Sequence, residues 1–358
     1  MRLPRARHEY LLREVTLRGS VRSADVAAQL GVSEVTIRRD ITQLERAGHL
    51  ARVHGGAIAL TSARGPQAAQ ELVGLVVPST DAHFPAVVRG MEAIAPSLRV
   101  RLVLGVSQYR PDVEAAQVDR LVSLGVRGLA IAPTTRGRSP EELAGWLRSV
   151  AVPVVLVERR IEGLTSLSEL DLVRTDHAHG AVVAVEHLQR LGHERVALGV
   201  YDQTPTAPHV RQGFATAVER LGLAPGPDVS LSKGTDPGPL RAELEDLLDR
   251  CVATGTRAVL VHTDDHASRL VESALDRGMR IPEDLAVVAY DDENASLAAV
   301  PLTTVSPPRR ELGQEALRVL VDRITEKDGE RRPPRHVDLL PRLTVRQSCG
   351  AAAAAPAA

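Results

Sequence analysis

Cysteine, lysine and aromatic residues are all scarce in this chain of 358 residues. Two cysteines, Cys251 and Cys349, are too few and too far apart for a disulfide framework or a cysteine-rich zinc site, which fits a reducing compartment. Only two of the 44 basic residues are lysine, a bias of the kind that GC-rich bacterial coding imposes. No run approaches the 18 or so unbroken apolar residues of a membrane span, and MRLPRARHEYLLREV lacks the apolar core of a secretion signal. A cytoplasmic protein without a membrane partner is therefore expected. The phosphate loop G-x-x-x-x-G-K-[ST] and the nucleophile elbow G-x-S-x-G do not occur, and VVPSTDAHFP after the first apolar run carries no G-x-G-x-x-G. With these fingerprints missing, no cofactor, no bound metal and no enzymatic activity are expected.

What is present supports packed cores: 44% apolar and 25% charged residues. The length allows two or three domains. Net charge is −1 overall, but residues 1–57 hold ten arginines against six carboxylates, a net of +4. A basic head on a mildly acidic body points to nucleic acid as the head's partner. The expected divisions are a head at 1–57, a small polar linker at 58–71, a body at 72–348 and a disordered alanine-rich tail at 349–358.

Within the head, the pattern predicts helices at about 7–17, behind Ser23 as N-cap to Gly31, and at 34–47. The turn Gly31-Val32-Ser33 between the last two gives helix-turn-helix geometry. At roughly 100° per residue, Ile37, Ile41 and Leu44 face inward, while Val35, Arg39, Thr42 and Arg46 face outward. Ser33, Val35, Thr36, Arg38 and Arg39 thus offer hydroxyl, methyl and guanidinium groups to base edges and phosphates. HLARVHGGAIAL reads as a hairpin wing that carries Arg52 and His54 to the backbone. An ordinary helical bundle with a solvated charged face would show the charge, but not this order of helix, turn and glycine hairpin.

From Leu72 onward the pattern becomes apolar runs at 72–78, 101–107, 128–133, 153–158, 195–200, 258–261 and 284–290, separated by helices at 84–97, 111–124, 177–191, 207–222, 265–278 and 309–327. Continuous apolarity suits strands covered on both faces. The fold class is α/β: a small winged head, then a two-lobed, doubly wound parallel-sheet body. Phe84, Tyr109, Tyr201 and Tyr290 fall at carboxyl ends of these strands, where ligands of such sheets bind, although Tyr290 fits a core plug equally well. Carboxylates and an arginine collect at the same ends and can hold several hydroxyls. Asp176 and Asp264 also suit helix caps. His177, His179, His262 and His266 lie near Asp264 and Asp291, a combination with metal-ligand chemistry, but cleft lining or helix capping is the expected role.

GVSEVTIRRDITQLERAGHLARVHGGA closely resembles the winged helix-turn-helix of the DeoR family, with Ser33, Thr36, Ile37, Arg38, Arg39 and Asp40 filling S-x-x-T-I-R-R-D. The body resembles the effector domain of the lactose-repressor (LacI) family, itself similar to type I periplasmic sugar-binding proteins. VGLVVPSTDAHFPAVVRGMEAI, VPVVLVERR, TDHAHGAVVAVEHLQRLGHERVAL, RQGFATAV, RIPEDLAVVAYDDENASLAAVPLTTV and ELGQEAL carry that likeness in order. The resemblance implies a homodimeric regulator, expected to be a repressor, on a palindromic DNA operator, with a sugar or related small-molecule effector. Phe84, Glu158, Arg159, Asp176, Thr263, Asp264 and Asp291 are the implied effector residues. Two departures stand out: Val210 occupies the place of a ligand-facing arginine, with Arg211 one place off, and Pro307 replaces a glutamine. No minor-groove linker helix is recognisable in 58–71. A transport-type binding protein would share the body but not the basic head, and an enzyme on the fold would need a nucleophile or cofactor loop.

Overall fold

The structure, a computed structural model, describes residues 7, 8, 10–12, 14, 15, 20–46, 49–53, 55–58, 70–81, 83–160, 169–233, 237–326 and 332–351. Contacts divide the chain after Gln70 into two compact units.

In the first unit, the described residues between 7 and 15 are helical, followed by β1 (Ser20–Arg22), α1 (Ser23–Leu30), α2 (Glu34–Arg46), β2 (Ala51–Val53) and β3 (Gly56–Ile58). Leu11, Val15, Val26, Leu30, Ile37, Ile41, Leu44 and Leu50 form its core, as the periodicity requires. Ser23 differs from expectation. It is the first residue of α1 and buried, and Arg22 takes the cap position. The reason is β1, which pairs with β3 and makes the wing a three-stranded sheet, β1-β3-β2. The backbones approach so closely there that a Cβ on Gly56 would lie 1.9 Å from the Val21 carbonyl oxygen. Asp40 is buried and accepts from Arg7 Nε at 2.8 Å and Nη2 at 3.1 Å. That forked, charge-assisted contact fixes α2 on the leading helix.

The second unit has two six-stranded sheets. One has the order β14-β8-β7-β6-β4-β5, from His336–Leu339, Asp171–Thr175, Val154–Val157, Leu129–Ile131, Glu71–Val77 and Val100–Val106, all parallel. The other has the order β10-β9-β11-β12-β13-β15, from Ala224–Leu231, Arg195–Tyr201, Ala258–His262, Ala286–Tyr290, Thr303–Ser306 and Arg342–Thr344, with β15 alone antiparallel. The helices α3 (His83–Ile94), α4 (Pro111–Ser123), α5 (Pro140–Ser149), α6 (His177–Arg190), α7 (Ala207–Arg220), α8 (Pro237–Thr254), α9 (Asp264–Asp276) and α10 (Arg309–Ile324) cover the sheets. The central strands are largely apolar, and Ala258–His262 and Ala286–Tyr290 are buried along their length, whereas β8 (DLVRT) and β13 (TTVS), one place in from an edge, carry polar residues. Strands β8, β10 and β13–β15, and helices α5 and α8, were not foreseen. APGPDVSL and HVDL alternate or carry proline at sheet edges, so continuous apolarity does not mark them.

The chain crosses between the lobes three times: Thr175 to His177, Ser306 to Arg309, and Leu339 to Arg342. After the second crossing α10 packs on the first lobe, with Leu312, Ala316 and Leu320 in that core. The expected tail begins too early. Cys349 is buried, 3.2 Å from His187 Nε2, and its Sγ accepts from Thr303 Oγ1 at 3.0 Å. Residues 352–358, and 59–69 of the expected linker, lie outside the described residues. Among the described residues no helix is long and apolar enough to cross a membrane.

Helices α3 and α10 touch backbone to backbone: a Cβ on Gly313 would lie 2.0 Å from Val87 O, and one on Gly90 2.1 Å from Arg310 O. Gly313→Ala is therefore expected to destabilise the body by about 1–3 kcal/mol, read as a lower urea midpoint with unchanged slope.

Candidate functional site

A cleft opens between the lobes at the carboxyl ends of both sheets. Its deep compartment, about 190 Å³, is lined by Phe84, Glu158, His177, His262, Thr263 and Asp291, among others. An outer compartment of about 490 Å³ is lined by Thr134, Arg136, Asp202 and Gln203. Tyr109, Thr135, Arg159, Thr204 and Pro205 border both. Tyr109 (φ 58°), Glu158 (φ 62°) and Asp291 (φ 102°) all adopt left-handed backbone where a strand ends. Such residues are strained, and strain of this kind gathers at binding sites.

Glu158 is the most tightly held. Its carboxylate accepts from Thr175 N at 2.9 Å and Thr175 Oγ1 at 2.8 Å, with His83 Nε2 at 2.8 Å and His177 Nε2 at 3.6 Å. Burial opposes its charge, yet the two imidazoles beside it hold the carboxyl well below the usual range. Arg309 joins the lobes: Nε donates to His83 Nδ1 at 2.9 Å, Nη1 to the Asp291 carbonyl, and Nη2 lies 3.4 Å from both Asp291 Oδ1 and Glu293 Oε1. Burial pushes the Glu293 carboxyl up to about 7.

Among the expected effector residues, Phe84, Glu158, Arg159, Thr263 and Asp291 come together in the cleft. Asp176 and Asp264 do not line it. Asp176 caps α6, accepting from His179 N at 2.9 Å. Asp264 is buried and accepts from the backbone of Glu293 and Asn294, both at 2.7 Å, so it shapes the turn that presents Asp291. Tyr290 is a core residue, fully buried, its hydroxyl 3.1 Å from His177 Nδ1 and donating to His177 O. Val210 is buried in the second lobe's core, and Arg211 is forked onto Asp202 and held by Asp228. Neither replaces the arginine that the family pattern places in the ligand. His83, Arg136, His209 and Arg309 were missed. His83 stands beside Phe84 and Arg309 follows Pro307-Pro308, so only knowledge of the lobe crossing would have singled them out.

Of His177, His179, His262 and His266, only His177 and His262 line the deep compartment. His266 Nδ1 contacts Thr263 Oγ1 at 3.1 Å, its Nε2 lies 3.0 Å from Ser232 O, and its ring stacks on Tyr201. Among the described residues no group of three or more His, Cys, Asp or Glu is placed to hold a metal ion. His262 Nδ1, buried beside the deep compartment, has no hydrogen-bond partner among the described residues.

On the head, Val35 is 75% exposed, and Arg38 and Arg39 are exposed. Ser33 accepts from Thr36 N at 3.3 Å and its hydroxyl lies 2.8 Å from that of Thr36, which caps the helix. Arg38 pairs with Glu34 at 2.6 Å, whereas Arg39 has no ion pair among the described residues. Arg52 is exposed on β2, with its backbone N–H on Glu45. His54 lies outside the described residues, as does the side chain of Arg46.

Residues 7–63 match the model of a DeoR-like helix-turn-helix domain, and residues 185–349 that of a periplasmic binding protein-like domain. The chain is a DNA-binding transcription regulator: a DeoR-like head on a body of the lactose-repressor (LacI) type. It is 26% identical over 317 residues to the arabinose metabolism transcriptional repressor of Geobacillus stearothermophilus, covering 86% of this chain and 85% of that one. Identity to the transcriptional repressor CytR of Escherichia coli K12 is 24% over 326 residues, covering 87% and 89%. A LacI-family regulator from Enterococcus faecium, solved with bound ribose, superposes with a TM-score of 0.60 at 25% identity, over 78% of this chain and 98% of that one. The CelR–cellobiose complex shares the fold, with a TM-score of 0.63 at 23% identity over 90% and 98%.

Burial lowers the pKa of His262 to about 4, so this regulator's ring is neutral when folded. The unfolded chain binds the extra proton below pH ~6.5, and stability is lost as pH falls from there to about 4. His262→Asn is expected to flatten that acid limb in melting curves collected across pH 4–7; an unchanged limb would mean that the ring titrates normally.

Proposed function

We propose that the regulator is a homodimeric repressor acting in the cytoplasm, whose affinity for a palindromic operator is set by a hydroxylated effector, a sugar or related metabolite, bound between the lobes. The observation that carries this reading is the cleft itself. Acceptor carboxylates Glu158 and Asp291, an aromatic wall at Phe84 and the hydroxyl of Thr263 converge beside the crossings about which the lobes would close. The E. faecium neighbour with ribose supports a pentose-sized occupant.

In this mechanism the effector bridges Glu158 and Arg159 of one lobe to Thr263 and Asp291 of the other. Closure favours one arrangement of the dimer, and the spacing of two heads against two half-sites changes. The heads read DNA with Val35, Thr36 and Arg39 toward base edges, and Ser33, Arg38, Arg52 and His54 toward phosphates or the groove rim. Arg39 is the base-reading candidate, because among the described residues no carboxylate pairs with it.

Operator binding by fluorescence anisotropy at fixed salt tests both halves. Arg39→Ala is expected to weaken operator binding by about 1–3 kcal/mol and relax one base preference. An equal loss on all sequences would make it a phosphate contact instead. Asp291→Ala is expected to remove the response to effector and leave operator binding intact; loss of both would assign Asp291 to folding. An effector that binds tightly and leaves operator affinity unchanged would refute the coupling.

A further inference from the structure

The carboxylates that line the cleft are already engaged by cationic partners within the protein, whereas among the described residues three of its arginines have no carboxylate at ion-pair distance. Glu158 sits among Thr175, His83 and His177. Asp202 is held by both arms of Arg211, at 2.8 and 2.9 Å, and Asp291 faces Arg309. Arg136, Arg159 and Arg160, by contrast, have no carboxylate within ion-pair distance among the described residues. Arg159 is only 8% exposed. Glu114 and Glu158 act on it only from beyond contact distance, and a guanidinium so far removed from water gains from an anion that touches it directly.

Nor are these arginines loosely placed. Buried Glu114 accepts from Thr134 N at 2.7 Å and Arg138 Nη1 at 2.5 Å. Arg138 in turn donates to Pro111 O and lies 4.5 Å over the Trp146 ring. This frame fixes the loop that carries Arg136, and Arg159 Nη1 donates to Pro133 O of the same loop. The Arg159 guanidinium also lies 5.4 Å from the centroid of Tyr109. Arg136 and Arg159 therefore flank one compartment that Thr134, Thr135 and Thr204 also line.

We propose that the outer compartment binds a compact anionic group, a phosphate or a carboxylate, borne by an effector whose hydroxylated part fills the deep compartment. The arginine fork matches such groups in two-pronged fashion. The acceptors of the deep compartment suit hydroxyls. The two compartments join at Tyr109, Thr135 and Arg159, so one molecule reaches both. This inference rests on the effector reading above and narrows it from sugars to charged sugar derivatives.

The test uses the full-length protein, with thermal melting and operator anisotropy at constant ionic strength, so that screening does not vary between probes. The probes are inorganic phosphate, ribose against ribose 5-phosphate, and glucose against glucose 6-phosphate and gluconate. Anionic probes are expected to raise the melting temperature by several degrees more than their neutral partners. A stronger response to the phosphate esters or to gluconate decides between phosphate and carboxylate. Arg136→Ala, at an exposed position that does not endanger folding, is expected to weaken the anionic probe at least about tenfold and leave the neutral one unchanged. Arg159→Lys is expected to retain part of the charge effect with the two-pronged fit lost. Equal protection by neutral and anionic partners, no protection by any anion, or full anion affinity in Arg136→Ala would each overturn the proposal. A neutral sugar that changes operator affinity as much as its anionic partner does would likewise overturn it while leaving the effector reading standing. If no probe, charged or neutral, changes operator affinity, the effector reading fails with it.

Discussion

The Glu158 carboxylate holds the floor of the cleft together. It lies at the end of one strand, accepts two hydrogen bonds from Thr175 at the end of the next, and has one imidazole from each lobe beside it. A buried anion without such partners would be neutralised or expelled. Thr175 is the last residue before the first lobe crossing, so the same two bonds that satisfy Glu158 also fix where the chain leaves one sheet for the other. Arg309 plays the complementary part at the second crossing, where it links His83 to Asp291 and Glu293. The cleft is thus framed at two crossings by opposite charges, each made tenable by partners from both lobes.

Much of this was legible in the sequence because burial on both faces leaves a plain mark. VVLV and AVVAY can only be interior strands of a covered sheet, and the functional side chains sit at their carboxyl ends for topological reasons. Edge strands escaped notice for the converse reason: half-exposed HVDL and the proline-bearing APGPDVSL need no continuous apolarity. Asp176 and Asp264 show the limit of motif transfer. A carboxylate one or two residues past a strand either faces ligand or takes backbone N–H groups, and only the local backbone decides; Asp176 caps its helix and Asp264 accepts from the Glu293–Asn294 turn. His83 and Arg309 lay beyond sequence reasoning altogether, because they meet only after 226 residues of chain have crossed between lobes twice.

The head was more transparent, since its core follows one helical period and its turn one glycine. What the sequence left unspoken was the third wing strand and the purpose of Asp40. That carboxylate closes the recognition-helix motif, yet it points inward to Arg7, while the neighbouring Arg39 is exposed and has no ion pair among the described residues. One residue of the motif therefore orients the helix, and the next one along is available to DNA.

Head and cleft form a switch only if binding at one changes binding at the other, and linkage makes that exchange reciprocal. The most direct test is calorimetric titration of the best-stabilising ligand into the free regulator and into the regulator saturated with operator DNA. If head and cleft are coupled, the ligand's dissociation constant differs between the two by the same factor by which ligand changes operator affinity. Identical dissociation constants, with and without operator, would contradict that coupling and leave the body as a binding domain that does not govern its head.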